Sequence, residues 1–413
     1  MTEKGGGMSR DSDVLVTGLG ALTPLGGSAA ESWQGLLDGR SGIRALGGDW
    51  PAELPVGIGG PLTADPAEAI GRVLARRLDR TEQMAVAVTR EAFQDAGKPD
   101  VPPERLAVVI GTGIGGLLST LSQNAVYEEH GMRKLSSYAV PMVMPNGPAA
   151  WAGLDLGARA GARAPVSACA SGAEAVALGL DLIRLDRADV VVAGGTDACL
   201  TPFMVAAFTQ MKALSQQGGD PAAVSRPFDA ARSGFVMAEG AAVMVLERAA
   251  SARARGARVY GAVAGAAVTS SAHHISASEP EGQITAMRAA LRDADLGPAD
   301  IGHVHAHATS TPGGDLAEAE AVAKAVGAHP VVTAGKSMTG HMLGASGAFG
   351  ALAALLALHH GVVPATRNLD RPDPQVGLDV VAGAPRHGRW EAALANSFGF
   401  GGHNVSLVLT RTT

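Results

Sequence analysis

The thiol of Cys169 is the side chain best placed to act as a nucleophile. It lies in the small-residue segment VSACASG, residues 166–172, directly before a stretch of helical period. This spacing predicts a cysteine at a helix N-terminus, where backbone N–H groups and the helix dipole favour a thiolate suited to acyl transfer. The alternative is an inert thiol, since free cysteine is often buried. Cys199 has no comparable setting and is interpreted as inert.

Three histidines at alternate positions, His303, His305 and His307, precede the threonine-rich stretch ATSTPGGD. Alternate residues of a strand share one face, and neighbouring histidines on a strand can bind zinc. No nearby cysteine or carboxylate pattern completes such a site. In the other interpretation, His307 ends the strand and enters a loop with Thr309 and Thr311. It would act there as a hydrogen-bond donor or base.

Two glycine-flanked segments follow. KSMTGHMLGA, residues 336–345, places Lys336 and His341 before an Ala/Leu-rich helix, or is simply a basic loop that caps this helix. NSFGFGGHN, residues 396–404, surrounds two aromatic residues with glycines, which predicts a loop that moves or closes on a ligand. Its alternative is a β-turn between terminal strands. The glycine turns at 17–20 and 111–116 lack complete nucleotide-binding fingerprints.

Apolar, β-branched stretches alternate with stretches of helical period, which predicts layered α/β packing. The predicted strands are 14–17, 107–111, 190–193, 242–246, 259–264, 304–306, 331–334 and 405–409. The predicted helices are 82–96, 170–185, 283–294, 316–326 and 345–359. The pattern restarts near Gly256. We therefore expect a leader over residues 1–12, a half with the cysteine over 13–255, and a half with His307 and His341 over 256–413.

Composition narrows the class of protein. The chain has 413 residues, of which 46% are hydrophobic, as expected of a packed globular protein. A formal net charge of −6 argues against a nucleic-acid binder, which is usually basic. No apolar run reaches the roughly 18 residues of a membrane helix. The polar N-terminus has no signal core, and two cysteines are no disulfide framework, so we expect a reduced, cytoplasmic protein.

In this order, the cysteine loop, HAHATSTPGGD, KSMTGHMLGASG and NSFGFGGHN resemble the β-ketoacyl-[acyl-carrier-protein] synthases, above all synthase II of fatty-acid elongation. The resemblance extends over nearly the whole chain. It implies a thiolase fold of class α/β, in which two duplicated βαβ-rich halves, each with a central sheet, form a five-layered αβαβα body. It also implies a homodimer, acyl carrier protein as partner, decarboxylative carbon–carbon bond formation, and no metal or other cofactor.

The resemblance assigns roles residue by residue. The catalytic positions are the nucleophile Cys169, the two histidines His307 and His341, and the supporting Lys336. The oxyanion hole is formed by the backbone N–H groups of Cys169 and of the gate residue Phe400. Thr309 and Thr311 line the pantetheine and malonyl channel, and Ile114 and Phe208 lie near the acyl pocket. Glu318 is a buried carboxylate behind the site, and Asn404 is a supporting polar residue. The carrier-binding patch consists of Arg76, Arg77, Arg80 and Lys212.

Four positions depart from the family pattern. His305 stands where Asn is usual, and Gly350 stands where Glu is usual. Ala395 replaces the usual Asn or Ser, and Ser271 replaces the usual Asp. In family members, the side chains at the first three of these positions often coordinate a cation or form an ordered polar network, together with the residue that matches Asn404. We expect the imidazole of His305 to fill the space lost at Gly350 and Ala395 and to hydrogen-bond Asn404. Otherwise it points elsewhere on its strand.

The departures make the ketosynthase subunit of a type II polyketide system, paired with a chain-length-factor partner, the main alternative. A catalytically dead partner subunit is disfavoured because such subunits typically lack the cysteine that Cys169 supplies. A degradative thiolase is disfavoured because thiolases usually need a second catalytic cysteine near the C-terminus, and none follows Cys199.

Overall fold

The structure is a computed structural model that describes residues 14–47, 50–51, 54 and 57–412. The predicted leader, residues 1–12, lies outside the described residues. The strands are β1 Val14–Leu22, β2 Arg44–Ala45, β3 Ile58–Gly59, β4 Leu106–Gly111, β5 Ala162–Arg163, β6 Val190–Asp197, β7 Gly240–Arg248, β8 Gly261–Ser270, β9 Ile301–His305, β10 Val331–Thr333, β11 Val362–Val363, β12 Asp379–Val380, β13 Arg386–His387, β14 Ala392–Gly399 and β15 His403–Thr410.

The helices surround these strands and lie between them. They are α1 Ala29–Leu37, α2 Pro66–Ile70, α3 Arg72–Ala75, α4 Arg80–Asp95, α5 Leu117–His130, α6 Ala139–Val143, α7 Gly147–Leu156, α8 Ser171–Arg184, α9 Pro202–Gln210, α10 Ala249–Ala254, α11 Pro280–Asp293, α12 Pro312–Ala325, α13 Lys336–Thr339 and α14 Gly344–His360. Among the described residues, no helix is long and apolar enough to cross a membrane.

The main sheet contains the same strand arrangement twice. One half runs β1-β7-β6-β4-β5 and the other β8-β15-β14-β9-β10-β12. In each half the first two pairings are antiparallel and the next two parallel. The resemblance implied a central sheet for each half. Pairing of residues 14–16 of β1 with residues 261–263 of β8 joins the two into one sheet.

The helices form three layers around this sheet. Helices α4 and α7 cover the first half-sheet, α8 and α14 lie between the two half-sheets, and α11 packs on the second half-sheet beside α12. Every residue of α14 from Gly344 to Leu358 is buried, as expected of a helix that is apolar on all sides. The order of layers is therefore αβαβα, which confirms the predicted fold class.

The predicted elements are present with shifted ends, but some were missed. Strand β14, AALANSFG, contains few residues that favour strands, so its sequence did not predict it. It forms because it is paired on both sides, with β9 and with β15. Helix α5 was missed because its residues are largely exposed or half-buried, which leaves a weak apolar pattern.

Candidate active site

Cys169 lies in a 3₁₀ turn, Ala168–Ala170, that leads directly into α8. Ala168 has a left-handed φ of +53°, and the hydroxyl of Ser171 donates to its carbonyl at 2.7 Å. The hydroxyl of Ser397, on β14, donates to the carbonyl of Cys169 at 2.9 Å. The two halves of the chain thus hold the nucleophile together, since the turn belongs to one and Ser397 to the other.

The environment of the Cys169 sulfur favours the thiol. Burial raises its pKa to about 12, and the nearby Lys336 ammonium and backbone N–H groups offset this in part. Burial therefore acts against the thiolate that is predicted for a helix N-terminus. Cys199 is fully buried and both thiols are free.

His341 is the group that can take the proton of Cys169. Its Nε2 lies 3.0 Å from Sγ, and its Nδ1 lies 3.0 Å from the hydroxyl oxygen of Ser346. The backbone N–H of Met342 also donates to this oxygen, at 2.9 Å, which fixes the hydroxyl in place. Burial lowers the pKa of His341 well below its ordinary value, so the ring is neutral and can act as a base. The role of Ser346 was not predicted, because this serine lies outside the residues that were expected to react.

His307 lies beside His341 and takes its orientation from Lys336. The two imidazoles are 5.4 Å apart and nearly perpendicular. The Lys336 ammonium donates to the carbonyl of His307 and lies 3.4 Å from Nδ1 of this ring. An ammonium group can only donate, so Nδ1 is the acceptor and the proton of the neutral ring is on Nε2. His307 is thus prepared to donate a hydrogen bond from Nε2.

Glu318 holds the backbone of the histidine loop. It accepts hydrogen bonds from the N–H groups of His307 and Ala308 at 2.8 and 2.6 Å, and from the amide of Asn396 at 3.3 Å. Burial raises the pKa of Glu318, and these donors and Lys336 oppose the rise. Burial also lowers the pKa of Lys336 to about 8, against the attraction of Glu318. These two oppositely charged groups lie behind the reacting side chains.

The backbone N–H groups of Cys169 and Phe400 both lie close enough to the sulfur to favour its anionic form. Phe400 comes this near because Gly399 leaves no side chain in the way: a Cβ there would be 2.5 Å from the carbonyl of Ser167. Gly401, with φ of +86°, then turns the chain. Two backbone donors at one point can stabilise an oxyanion.

Asp197 is a further positioning residue, at the end of the apolar strand β6. Its carboxylate accepts from the N–H groups of Gly113 and Gly344 at 2.8 and 2.6 Å, and from the Thr112 hydroxyl at 2.8 Å. It thereby ties the loop after β4 to the first residue of α14. The sequence did not point to Asp197, because it belongs to none of the four reactive segments.

A cavity of about 420 Å³ opens onto Cys169, His307 and His341. Its large apolar lining residues are Phe208, Met211, Phe235, Leu343, Phe398 and Phe400. Its polar lining, called the polar wall below, includes Ser271, Ser276, Ser278, Gln283, Thr309, Thr311 and Asn404. The hydroxyl oxygens of Thr309 and Thr311 are 3.1 Å apart. Ile114 packs in the apolar cluster around Cys169 and Phe208 but does not line this cavity.

The predicted carrier-binding residues are not all free. Arg76 and Arg77 are exposed, and the guanidinium of Arg77 lies 5.5 Å from the Tyr138 ring. Lys212 is exposed at the cavity. Arg80 instead makes two hydrogen bonds, of 2.7 and 2.8 Å, to the carboxylate of Glu239. Arg80 is half-buried in this pair, and its role in carrier binding stays a prediction.

His305 fills the predicted space but does not make the predicted hydrogen bond. It pairs with Ala395 across β9 and β14, and a Cβ on Gly350 would lie 3.0 Å from its Nδ1, which confirms that the three positions adjoin. Asn404 instead donates to the Ser271 hydroxyl and to the Gly402 carbonyl. Nε2 of His305 has no hydrogen-bond partner among the residues that the structure describes. The reason is register: Asn404 is on β15, the strand beyond β14, and pairs with Phe398 rather than Ala395.

The histidines of β9 do not form a metal centre. Nδ1 of His303 lies 2.8 Å from the carbonyl oxygen of Val331, and His305 packs against Gly350 and Gly335. Within the ranges that the structure describes, no group of three His, Cys, Asp or Glu side chains is arranged to hold a metal ion.

Comparisons with known proteins agree with this geometry. Residues 11–252 match the family Beta-ketoacyl synthase, N-terminal domain, and residues 260–370 match Beta-ketoacyl synthase, C-terminal domain. The chain is 42% identical to 3-oxoacyl-[acyl-carrier-protein] synthase 2 of Mycobacterium tuberculosis over 404 residues, which are 96% of this chain and 97% of the relative.

Two solved structures share the fold. The ishigamide ketosynthase/chain length factor has a TM-score of 0.90 at 31% identity, covering 97% of this chain and 99% of that one. A type II polyketide synthase ketosynthase, bound to the hexaketide and in complex with its acyl-carrier protein, has a TM-score of 0.89 at 27% identity with the same coverage. With nearly full-length matches in sequence and in fold, the chain belongs to the β-ketoacyl synthase family.

Proposed function

We propose that this enzyme is a β-ketoacyl-[acyl-carrier-protein] synthase that joins malonyl units to a cysteine-bound acyl chain in fatty-acid elongation. The observation that carries the proposal is the convergence of three groups on one cavity: the Cys169 thiol, His341 at 3.0 Å from it, and His307 with its proton on Nε2. The names of the curated relatives support the same activity.

Acyl loading follows from the first two groups. The Cys169 sulfur attacks the carbonyl carbon of the acyl thioester while its proton passes to Nε2 of His341. The oxygen becomes negative in the tetrahedral intermediate and accepts hydrogen bonds from the N–H groups of Cys169 and Phe400. The carbon–sulfur bond to the carrier then breaks, and the proton leaves with the carrier thiol. The acyl group stays on Cys169.

Condensation uses both histidines as donors. The thioester oxygen of the malonyl group accepts a hydrogen bond from Nε2 of His307. It accepts a second from Nε2 of His341, whose proton moves from Nδ1 to Nε2 after loading while the Ser346 hydroxyl turns to donate to Nδ1. Loss of carbon dioxide leaves its electron pair on the α-carbon as an enolate stabilised by these donors. The carbanion attacks the acyl carbon, and the sulfur of Cys169 leaves as a thiolate, which takes a proton from solvent to restore the thiol. The product is a β-ketoacyl thioester on the carrier.

The proposed partner is acyl carrier protein, which is acidic and would meet the basic residues Arg76, Arg77 and Lys212 outside the cavity. Exposed guanidinium and ammonium groups increase the rate of such an encounter even when the net charge is negative, because the local potential guides association. We propose a cytoplasmic homodimer. We also propose that the two halves of the chain meet near residue 256 and that the site residues have the roles predicted for them.

A second candidate is the ketosynthase subunit of a type II polyketide system, paired with a chain-length factor. The observation in its favour is the likeness to the ishigamide ketosynthase/chain length factor, at a TM-score of 0.90. The replacements at His305, Gly350 and Ala395 are compatible with a specialised enzyme of this kind.

One experiment separates these functions. The pure protein is incubated with acyl-carrier proteins of graded chain length and with malonyl-carrier protein, and the products are identified by mass spectrometry. One two-carbon extension per acyl chain supports fatty-acid elongation. Unreduced chains of several keto groups, formed only after a chain-length-factor subunit is added, support the second candidate. No extended product under either condition would refute both.

A further inference from the structure

Gln283 is a buried amide that lines the active-site cavity and has no part in the steps above. It is the fourth residue of α11, and only 2% of its surface is exposed. Its Oε1 is buried and has no hydrogen-bond partner in the described part of the chain. Nearly all buried polar groups in proteins are hydrogen-bonded, so an unpaired amide oxygen at a substrate cavity points to a partner that arrives with the substrate.

The surroundings of Gln283 place it beside the histidine loop. Residues four apart share one face of a helix, so Gln283 lies on the same face of α11 as Met287. The amide of Asn396 contacts both the Met287 sulfur, at 3.5 Å, and the carboxylate of Glu318, at 3.3 Å. Glu318 in turn holds the backbone of His307. Gln283 thus belongs to the polar wall, near the loop that carries His307, Thr309 and Thr311.

Close packing limits how far this part of α11 can move. A Cβ on Gly282 would be 2.2 Å from the Ser271 hydroxyl and 2.7 Å from the Asn404 amide, so the first turn of α11 lies directly against these two side chains. Glu279 caps the same turn by accepting from the N–H groups of Glu281 and Gly282. Gln283 therefore cannot easily shift to a partner elsewhere in the protein.

The chemistry of the substrates identifies what Gln283 can bind. An acyl chain and a malonate group at neutral pH carry no N–H or O–H donor. The pantetheine arm of a carrier protein carries amide groups near its thioester, and their N–H groups are donors. If the oxygen and nitrogen of Gln283 exchanged positions, the side chain would donate to the carbonyl of such an amide. The unpaired oxygen is an acceptor, and it is this orientation that selects an amide N–H in the thioester arm over an ester.

We propose that Gln283 is a specificity-determining residue that hydrogen-bonds an amide of the carrier's thioester arm. This inference rests on the proposed function. The arm occupies the channel during both half-reactions and is not changed by either, so Gln283 contributes binding that is equal in the ground state and the transition state. Removing it raises KM for both thioesters and leaves kcat nearly unchanged.

A matched pair of small substrates tests the inference. One is the malonyl thioester of N-acetylcysteamine, which has one amide. The other is the malonyl thioester of 2-acetoxyethanethiol, in which an ester oxygen replaces the amide N–H. Decarboxylation of each is measured with the wild-type protein and with Gln283→Leu and Gln283→Met. Gln216→Leu is the control, since Gln216 is exposed and does not line the cavity.

The wild-type protein and the control should prefer the amide over the ester by about 5- to 50-fold in kcat/KM, because a buried polar group is left unpaired by the ester. Both Gln283 variants should reduce this ratio to near one. A wild-type ratio near one, or an unchanged ratio in a folded variant, would overturn the inference. If the wild-type protein converts no malonyl-carrier protein at all, the proposed function itself is wrong. That result differs from a failure of the inference on Gln283, in which malonyl-carrier protein is still converted.

Discussion

Substitution of alanine for Gly350 should destabilise the protein through His305. The added Cβ would lie 3.0 Å from Nδ1 and 3.2 Å from Cε1 of the imidazole, inside the normal contact distance of about 3.5–4.0 Å. Gly350 is in the middle of α14, which is buried from residue 344 to residue 358. Neither the helix nor the ring has free space into which to move.

The magnitude is the difference between two effects. Overpacking a close-packed core costs about 1–3 kcal/mol. Alanine in place of glycine inside a helix returns about 0.5–1 kcal/mol. We therefore expect Gly350→Ala to lower the free energy of unfolding by up to about 2.5 kcal/mol. His305→Asn removes most of the ring and leaves a cavity, which costs about 1–3 kcal/mol.

The decisive assay is a double-mutant cycle on the free energy of unfolding, measured by urea denaturation. In the double variant the new methyl group enters the space that His305 has left, so its loss of stability should be smaller than the sum of the single losses by at least about 1 kcal/mol. Gly153→Ala in α7 is the control, because its Cβ would meet only the Ala162 Cβ, at 3.4 Å. It should be neutral or stabilising, and additive with His305→Asn.

Additive losses for Gly350→Ala and His305→Asn would refute the contact between these two positions. Activity supplies an independent check. His305 does not line the cavity, so His305→Asn should keep nearly the wild-type activity per folded molecule while it loses stability. A large loss of activity in a stably folded variant would contradict the structural role given to His305.

Four further outcomes are expected. Incubation with acyl-carrier protein should add one acyl group at Cys169, seen by mass spectrometry of peptides, and Cys169→Ala should remain folded without it; a label on Cys199 would contradict the assignment. His341→Ala should slow malonyl decarboxylation by about 10²–10³, and a wild-type rate would exclude its role as donor. Phe400→Ala should increase decarboxylation that is not coupled to condensation, measured as the ratio of carbon dioxide to β-keto product, and unchanged coupling would count against a gate. The rate of condensation should fall as pH rises through about 8, because the Lys336 ammonium loses its proton there and no longer stabilises negative charge. Lys336→Arg should move this fall to higher pH. An unmoved pH profile would assign the fall to another group.

The sequence could predict the reacting side chains because each lies in a short segment whose neighbours are small or hydroxylic. Cys169, His307 and His341 are brought together in one cavity although 172 positions separate the first from the last. No local pattern encodes that distance. The family resemblance predicted that these residues come together.

What the sequence could not predict depends on register and on burial. Asn404 was expected beside His305, but the pairing of β15 with β14 places it against Phe398. Gln283 was not recognised, because a glutamine in the first turn of a helix is ordinary until the packing of Gly282 against Ser271 fixes it at the cavity. Such facts arise from contacts between elements far apart in the chain, which a single sequence does not specify.

The ionisation of Cys169 shows most clearly how burial decides the chemistry. A helix N-terminus stabilises a nearby anion by about 0.3–1 kcal/mol, whereas a tenfold change in a protonation equilibrium corresponds to about 1.4 kcal/mol. The dipole acts in the opposite direction to burial, which raises the pKa of the thiol. The same burial keeps His341 neutral, so the pair begins as thiol and imidazole, without an ion pair at the reacting atoms. The charged groups, Lys336 and Glu318, stay behind the site, where each partly stabilises the other. Negative charge therefore develops during the reaction at positions where N–H donors are already oriented to receive it.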